Sequence, residues 1–339
     1  MKPRVEVNFD KAERLAFRKK NPEYQPNANE FLLNHARSGL LIALQSLHLP
    51  QGSKVGVMVY NCHTVMNAVA QAGCQPVFVD VDDDLRLDSV DLDKKSTELS
   101  VLIITHLFGI VNDVAAIRQR YPQLIIIEDC AHVFGKPIEG DFGVYSVGQG
   151  KLPSLGDGGI LVVNNNGYLN IVKSIYNQLP AYSRNSERKL FVKLLLMHWV
   201  NSRCLYGWLT MPLKQLRRLP SGKETIVMRK MSLGVQALLG QQKDAVNGRA
   251  GQRKEHAHKE MGQLIGNPLV RKVLCGDNAF MLVALCSDPE GLKKQYAYRG
   301  IETATHFSNS IAWAKAFGYR NECPNAERLV GELLMIPVY

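Results

Sequence analysis

The 339-residue chain predicts an α/β fold: a mainly parallel central sheet with helices on both faces and a smaller C-terminal α/β lobe. Three observations carry that expectation. Short runs rich in Val and Ile recur through the first half without polar alternation, the pattern of strands buried on both faces. Segments with helical apolar spacing separate them, so strand and helix alternate. The composition, 46% hydrophobic and 21% charged, is that of a globular protein and excludes disorder, collagen and a pure coiled coil.

The elements follow in order. A polar arm over 1–33 precedes a helix over Asn34–Leu47, which Pro50-Gln51-Gly52 ends. Val55–Val59 is a strand, Thr64–Ala72 a helix and Pro76–Val81 a strand. Val101–Thr105 (strand), Asp113–Arg120 (helix) and the strands Leu124–Glu128, Val144–Val147 and Gly159–Asn164 continue the rhythm. Beyond Ile171 it stops, and a helical, basic, aromatic stretch is expected to about Lys230. A helix over Ser232–Val246, a strand over Phe280–Cys286 and a helix over Pro289–Tyr298 follow. The expected division is an arm (1–33), a large domain (34–245, including a basic aromatic segment at 184–230) and a small domain (246–339).

The net charge of +10 is local rather than spread. Residues 184–230 hold eleven basic residues against two acidic ones, a net +9. No nucleic-acid recognition module accompanies them, so nucleic acid is not an expected partner. Seven cysteines, odd in number and without a C-x-x-C pair, read as reduced thiols of a cytoplasmic protein and give no zinc site. The first twenty residues lack a signal-peptide core, and no stretch reaches the roughly 20 apolar residues of a spanning helix.

In parallel sheets chemistry gathers at the carboxyl ends of strands, and four places there hold polar residues. Glu128-Asp129-Cys130-Ala131-His132 follows one apolar run; its acid is a strand cap, a ligand or a partner for a cofactor, with metal the poorest reading. Ser146-Val147-Gly148-Gln149-Gly150-Lys151 opens a Gly- and Pro-rich loop whose lysine is either solvated or aimed at a ligand. Ala36-Arg37-Ser38-Gly39 at a helix start is either a plain cap or a phosphate turn. Tyr60-Asn61-Cys62-His63-Thr64 ends the second strand.

Five blocks, ARSGLLIAL, VYNCHTVMNAVAQAGCQPVFVDVD, THLFGIVNDVAAI, LIIIEDCAHVFG and YSVGQGKLPSLGDGGILVVN, resemble in one order the DegT-type sugar aminotransferases, fold-type-I enzymes of pyridoxal 5'-phosphate (PLP). The resemblance covers roughly residues 30–165, with weaker echoes at Ser232–Gln242 and near the C-terminus. It implies Lys151 as the Schiff-base lysine and proton shuttle, and Asp129 as the partner of the pyridine nitrogen. It further implies Ser146 and the turn Ala36-Arg37-Ser38 at the phosphate, and His132 beside the cofactor where relatives carry Gln. Cys62 stands where an aromatic ring commonly stacks on the cofactor, with His63 as a substitute ring. Arg229, in a reduced form of an Asn-Tyr-Arg motif, and His306 are the substrate candidates. Relatives continue into a further helix after Pro337-Val338-Tyr339, so a shortened C-terminus is expected.

The implied function is transfer of an amino group, from glutamate, to a nucleotide- or lipid-linked keto sugar for cell-surface polysaccharide or secondary metabolism, by a homodimer. Two alternatives stand beside it: a PLP-dependent sugar dehydratase or lyase, against which Lys151 argues because family dehydratases carry His there, and a non-catalytic scaffold of the same fold. Within 189–218, Phe191, Trp199, Tyr206 and Trp208 among basic residues fit either an anionic membrane surface or a dimer interface.

Overall fold

The computed structural model describes residues 9–20, 24–202, 206 and 223–338. Its main sheet has seven strands: β1 (Glu30–Leu33), β2 (Lys54–Met58), β3 (Gln75–Val79), β4 (Val101–Thr105), β5 (Ile125–Asp129), β6 (Phe142–Ser146) and β7 (Gly159–Val163). Their spatial order is β1-β7-β6-β5-β4-β2-β3. The pairs from β3 to β6 are parallel, whereas β7 runs antiparallel to β6 and β1 antiparallel to β7. The cause is the connection. No helix intervenes between Ser146 and Gly159, so the chain turns back instead of crossing over.

Both faces are covered because successive side chains on a strand alternate. On β7, Leu161 and Val163 join the larger core, which includes the apolar side chains of α2 (Ala36–Ser46) and α3 (His63–Gln71). Ile160 and Val162 join a second core with Phe17 of α1 (Lys11–Lys19), Leu190 and Leu194 of α7 (Arg184–Val200), and Val235. Helix α2 lies close on β6 and β7 because Gly39 has no side chain: a Cβ there would stand 2.9 Å from Val144 Cγ1. A third core fills a three-stranded antiparallel sheet of β8 (Val270–Cys275), β9 (Met281–Cys286) and β10 (Leu333–Pro337), backed by helices Ala250–Ile265 and Pro289–Tyr298.

Three differences from the sequence reading have physical causes. The arm expected over 1–33 contains, in its described part, edge strand β1 and helix α1. Asp10 caps α1 by accepting from the Ala12 and Glu13 amides, while Glu13 accepts from the Asp10 amide. The helical stretch expected to Lys230 ends earlier. Residues 223–229 are extended, their backbone held by side-chain amides: Gln71 bonds Glu224 O and Ile226 N, Asn67 accepts from Glu224 N, and Asn34 bonds Val227 O and Arg229 N. Finally, Pro337 closes a real strand, β10, at the sheet edge where a missing N–H is tolerated. Among the described residues no helix is long and apolar enough to cross a membrane.

Candidate active site

Polar residues at or just beyond the ends of β2, β4 and β5 form one hydrogen-bonded group. Asp129, the last residue of β5, is buried; its Oδ1 accepts from the Ala131 amide at 3.1 Å and its Oδ2 from Thr105 Oγ1 at 3.4 Å. Thr105, ending β4, also accepts from Asn61 Nδ2 at 2.7 Å, and Asn61 Oδ1 accepts from the Cys62 amide at 2.7 Å. Burial pushes the Asp129 carboxyl above its ordinary range, and the charge of Lys151 and the Ala131 amide oppose that shift.

One residue earlier, the strand's alternation turns Glu128 to a different set of partners. It receives His106 Nε2 and Lys136 Nζ, each at 2.9 Å, and the amides of Glu139 and Gly140 at 2.6 Å. Burial alone would raise its pKa, but these donors outweigh burial and hold it at about 2. A carboxyl lowered on folding contributes stability above the ordinary carboxyl range, and that contribution is lost as pH falls toward 2. His106, Glu128 and Cys130 present ligand-type atoms within 4.8 Å of one another. Glu128's oxygens already have four donors, so this group reads as a structural network beneath the site.

Lys151 follows β6 in a loop with Gly150 at φ 80°, a conformation natural to glycine. Its Nζ lies 2.8 Å from His132 Nε2. His132 Nδ1 accepts from the Phe108 amide at 3.0 Å, so the neutral ring carries its proton on Nε2, facing Lys151. The imidazole is fixed by rings: Phe280 at 4.9 Å and 20°, Phe108 at 5.5 Å and 16°, and Phe307 at 6.2 Å and 25°. Asn278 Nδ2 donates to the His132 carbonyl at 2.6 Å, so the β8–β9 loop reaches the site.

Other expected residues have mixed outcomes. Ser146, paired with Gly159 across β6 and β7, accepts from the Gly148 amide at 3.4 Å. Gly159 abuts the start of α2: a Cβ there would stand 2.2 Å from the Ala36 nitrogen, so Ser146 and the α2 N-terminus are neighbours. His35 gives that turn no side-chain cap, but the Ser38 hydroxyl is buried and donates to Asn34 Oδ1 at 2.9 Å, pointing inward rather than to a ligand. Arg37 and Arg229 line one cavity of about 320 Å³ with Asn34, His35, Tyr182 and Ser186. Cys62 begins α3, and His63 packs its ring 4.9 Å from Trp313 with Nε2 3.7 Å from Glu224, an arrangement distinct from the stack around His132. His306 lies at the aromatic group: its carbonyl accepts from Tyr60 Oη at 2.7 Å and its ring is 4.4 Å from Phe307.

Phe108, Phe280, Asn278 and Thr105 were not expected as site residues. Phe108 carried one signal, Leu-Phe-Gly after a strand; its φ of 54° is unusual for a bulky residue and aims its amide at His132. In the basic segment, Val192, Leu196 and Trp199 are exposed on α7 while Tyr206 is buried. Trp208, Arg203, Lys214, Arg217 and Arg218 lie outside the described residues.

Residues 12–196 match the model of the DegT/DnrJ/EryC1/StrS aminotransferase family. The chain belongs to that family. A GDP-perosamine synthase of Escherichia coli O157:H7 is 31% identical over 136 residues, 37% of this chain and 37% of that protein. A UDP-N-acetyl-3-dehydro-alpha-D-glucosamine 3-aminotransferase of Acidithiobacillus ferrooxidans is 34% identical over 136 residues, 36% of this chain and 37% of its own length. The alignment thus spans little more than a third of either relative. The fold extends further: the aminotransferase TlmJ of Streptoalloteichus hindustanus superposes with a TM-score of 0.75 at 19% identity, covering 100% of this chain and 93% of that one.

The donor set of this DegT-family site fits PLP, the cofactor of the family. A buried carboxylate at a strand end suits a protonated ring nitrogen, an amine beside it suits a carbonyl, and a helix start without a side-chain cap suits a phosphate.

Proposed function

We propose that this protein is a PLP-dependent aminotransferase that moves an amino group from an amino acid, glutamate in the first instance, to a keto sugar carried on a nucleotide or lipid. The observation that carries the reading is the Lys151–His132 contact at 2.8 Å beside buried Asp129. When bound, PLP supplies an electron sink for charge developing at the amino-bearing carbon. Lys151 Nζ, beside His132 Nε2, is the group that would take and return a proton at that carbon. Asp129 would accept from the protonated ring nitrogen and keep it charged. Ser146 and the backbone of Ala36 and Arg37 receive the phosphate, the Ser38 hydroxyl being committed to Asn34. Cys62 would face the ring in place of an aromatic side chain, and His306 and Arg229 would meet the sugar substrate.

The donor half of the reaction is readable without knowing the sugar. Protein loaded with PLP and mixed with glutamate is expected to release one equivalent of 2-oxoglutarate per site, and a panel of nucleotide-linked keto sugars should then yield amino sugar. No oxo acid from glutamate, glutamine or any other donor overturns the reading.

The proposal includes a cytoplasmic homodimer. Val192, Leu196 and Trp199 recur at helical spacing on exposed α7 and support a covered face there. Contact with an anionic membrane is the competing use of the same face. Sedimentation alone and with anionic vesicles separates them: a dimer indifferent to vesicles removes the membrane, and a monomer that pellets with them removes the dimer.

A further inference from the structure

We infer that Cys62 is a modification site: a nucleophilic thiol, paired with His63, that exchanges with small-molecule disulfides at the mouth of the candidate site. The geometry is a nucleophile with its own base. Cys62 Sγ lies 3.9 Å from His63 Nδ1 and accepts from Thr64 Oγ1 at 3.2 Å. The residue is the N-cap of the nine-residue helix α3, where the helix dipole favours negative charge. The residue is only partly buried.

His63 is built to carry a positive charge. Its ring is 8% exposed, its Nε2 has no hydrogen-bond partner, and the nearest anion is Glu224 Oε2 at 3.7 Å. The bond with Cys62 raises its pKa first, with Glu224 adding to it, against the effect of burial. Burial would push the Cys62 thiol up, but the His63 and Thr64 bonds bring it below the ordinary thiol range. The other described thiols behave oppositely: burial pushes up Cys74, Cys130, Cys275, Cys286 and Cys323. Backbone placement is equally specific, because Asn61 holds the Cys62 amide and is itself held by Thr105, which donates to Asp129. An adduct on Cys62 therefore stands one hydrogen-bonded chain from the buried acid.

The step balances without a further reagent. The Cys62 sulfur anion attacks one sulfur of RS–SR, a new S–S bond forms, and the second sulfur leaves with the bonding pair as RS⁻. The protein thiol is oxidised and one half of the reagent reduced, and excess thiol reverses the exchange.

The test uses the full-length protein and an aromatic disulfide, 5,5'-dithiobis(2-nitrobenzoate), at pH 7 with release of the coloured thiolate followed in time. A fast phase of one thiol per chain is expected. Peptide mass mapping should place the adduct on Cys62, C62S should remove the phase, and dithiothreitol should restore the unmodified mass. His63→Gln and Thr64→Val each remove one partner of the sulfur; the first is expected to slow the phase about tenfold and the second less. Folding of both variants is checked by circular dichroism, and either folded variant suffices. A fast phase that maps to another cysteine, Cys204 included, or that both folded variants leave unchanged, overturns the inference. The readout is sulfur chemistry, so the result stands apart from whether the protein transfers amines.

Discussion

Lys151→Ala is expected to lower amine transfer by about four orders of magnitude, the scale of losing a positioned acid–base group that also holds the cofactor. Stability should change little. The side chain is partly exposed, and its hydrogen bond to His132 is worth about 1 kcal/mol net. A thermal midpoint within a few degrees of wild type is therefore expected alongside the lost activity. Borohydride reduction of the PLP-loaded wild type, followed by peptide mapping, should place the pyridoxyl group on Lys151. A label on another lysine, or near-normal turnover in the variant, removes Lys151 from the mechanism.

The parts of the site that were legible in the sequence share one property: they end apolar runs. Asp129 and Ser146 close β5 and β6, and Lys151 follows within a short loop, so strand recognition alone locates them. The parallel strands were readable because both faces are buried, leaving Val and Ile runs without alternation. What was not legible depends on distant residues. The rings around His132 come from Phe108, Phe280 and Phe307, on three separate loops, and no local pattern links them. The extended course of 223–229 is set by Asn34, Asn67 and Gln71, whose side chains supply the partners a strand would otherwise provide. Ser38 was readable as a helix-start residue, but the direction of its hydroxyl was decided by Asn34. The contacts of His63 with Trp313 and Glu224 likewise join residues far apart in the sequence.

Asp129→Asn is expected to cut turnover about a thousandfold while the protein folds as well as wild type or better. The amide has the carboxylate's shape, and its oxygen can keep one of the two acceptor roles toward Ala131 and Thr105. What it loses is the negative charge that stabilises a protonated ring nitrogen. The stability arm follows from the direction of the pKa shift. Burial raises the Asp129 carboxyl on folding, so the ionised form is costly in the native state, and that cost is present above the folded pKa. It vanishes below the unfolded pKa, where both states are protonated. The variant should therefore gain most in thermal midpoint at neutral pH and lose that advantage as pH falls into the ordinary carboxyl range. A strand-end cap predicts the reverse on both counts, with lower stability at neutral pH and normal turnover in whatever remains folded. Turnover and midpoint measured on one preparation across pH distinguish the two, and a destabilised, fully active variant would show that Asp129 serves the fold rather than the cofactor.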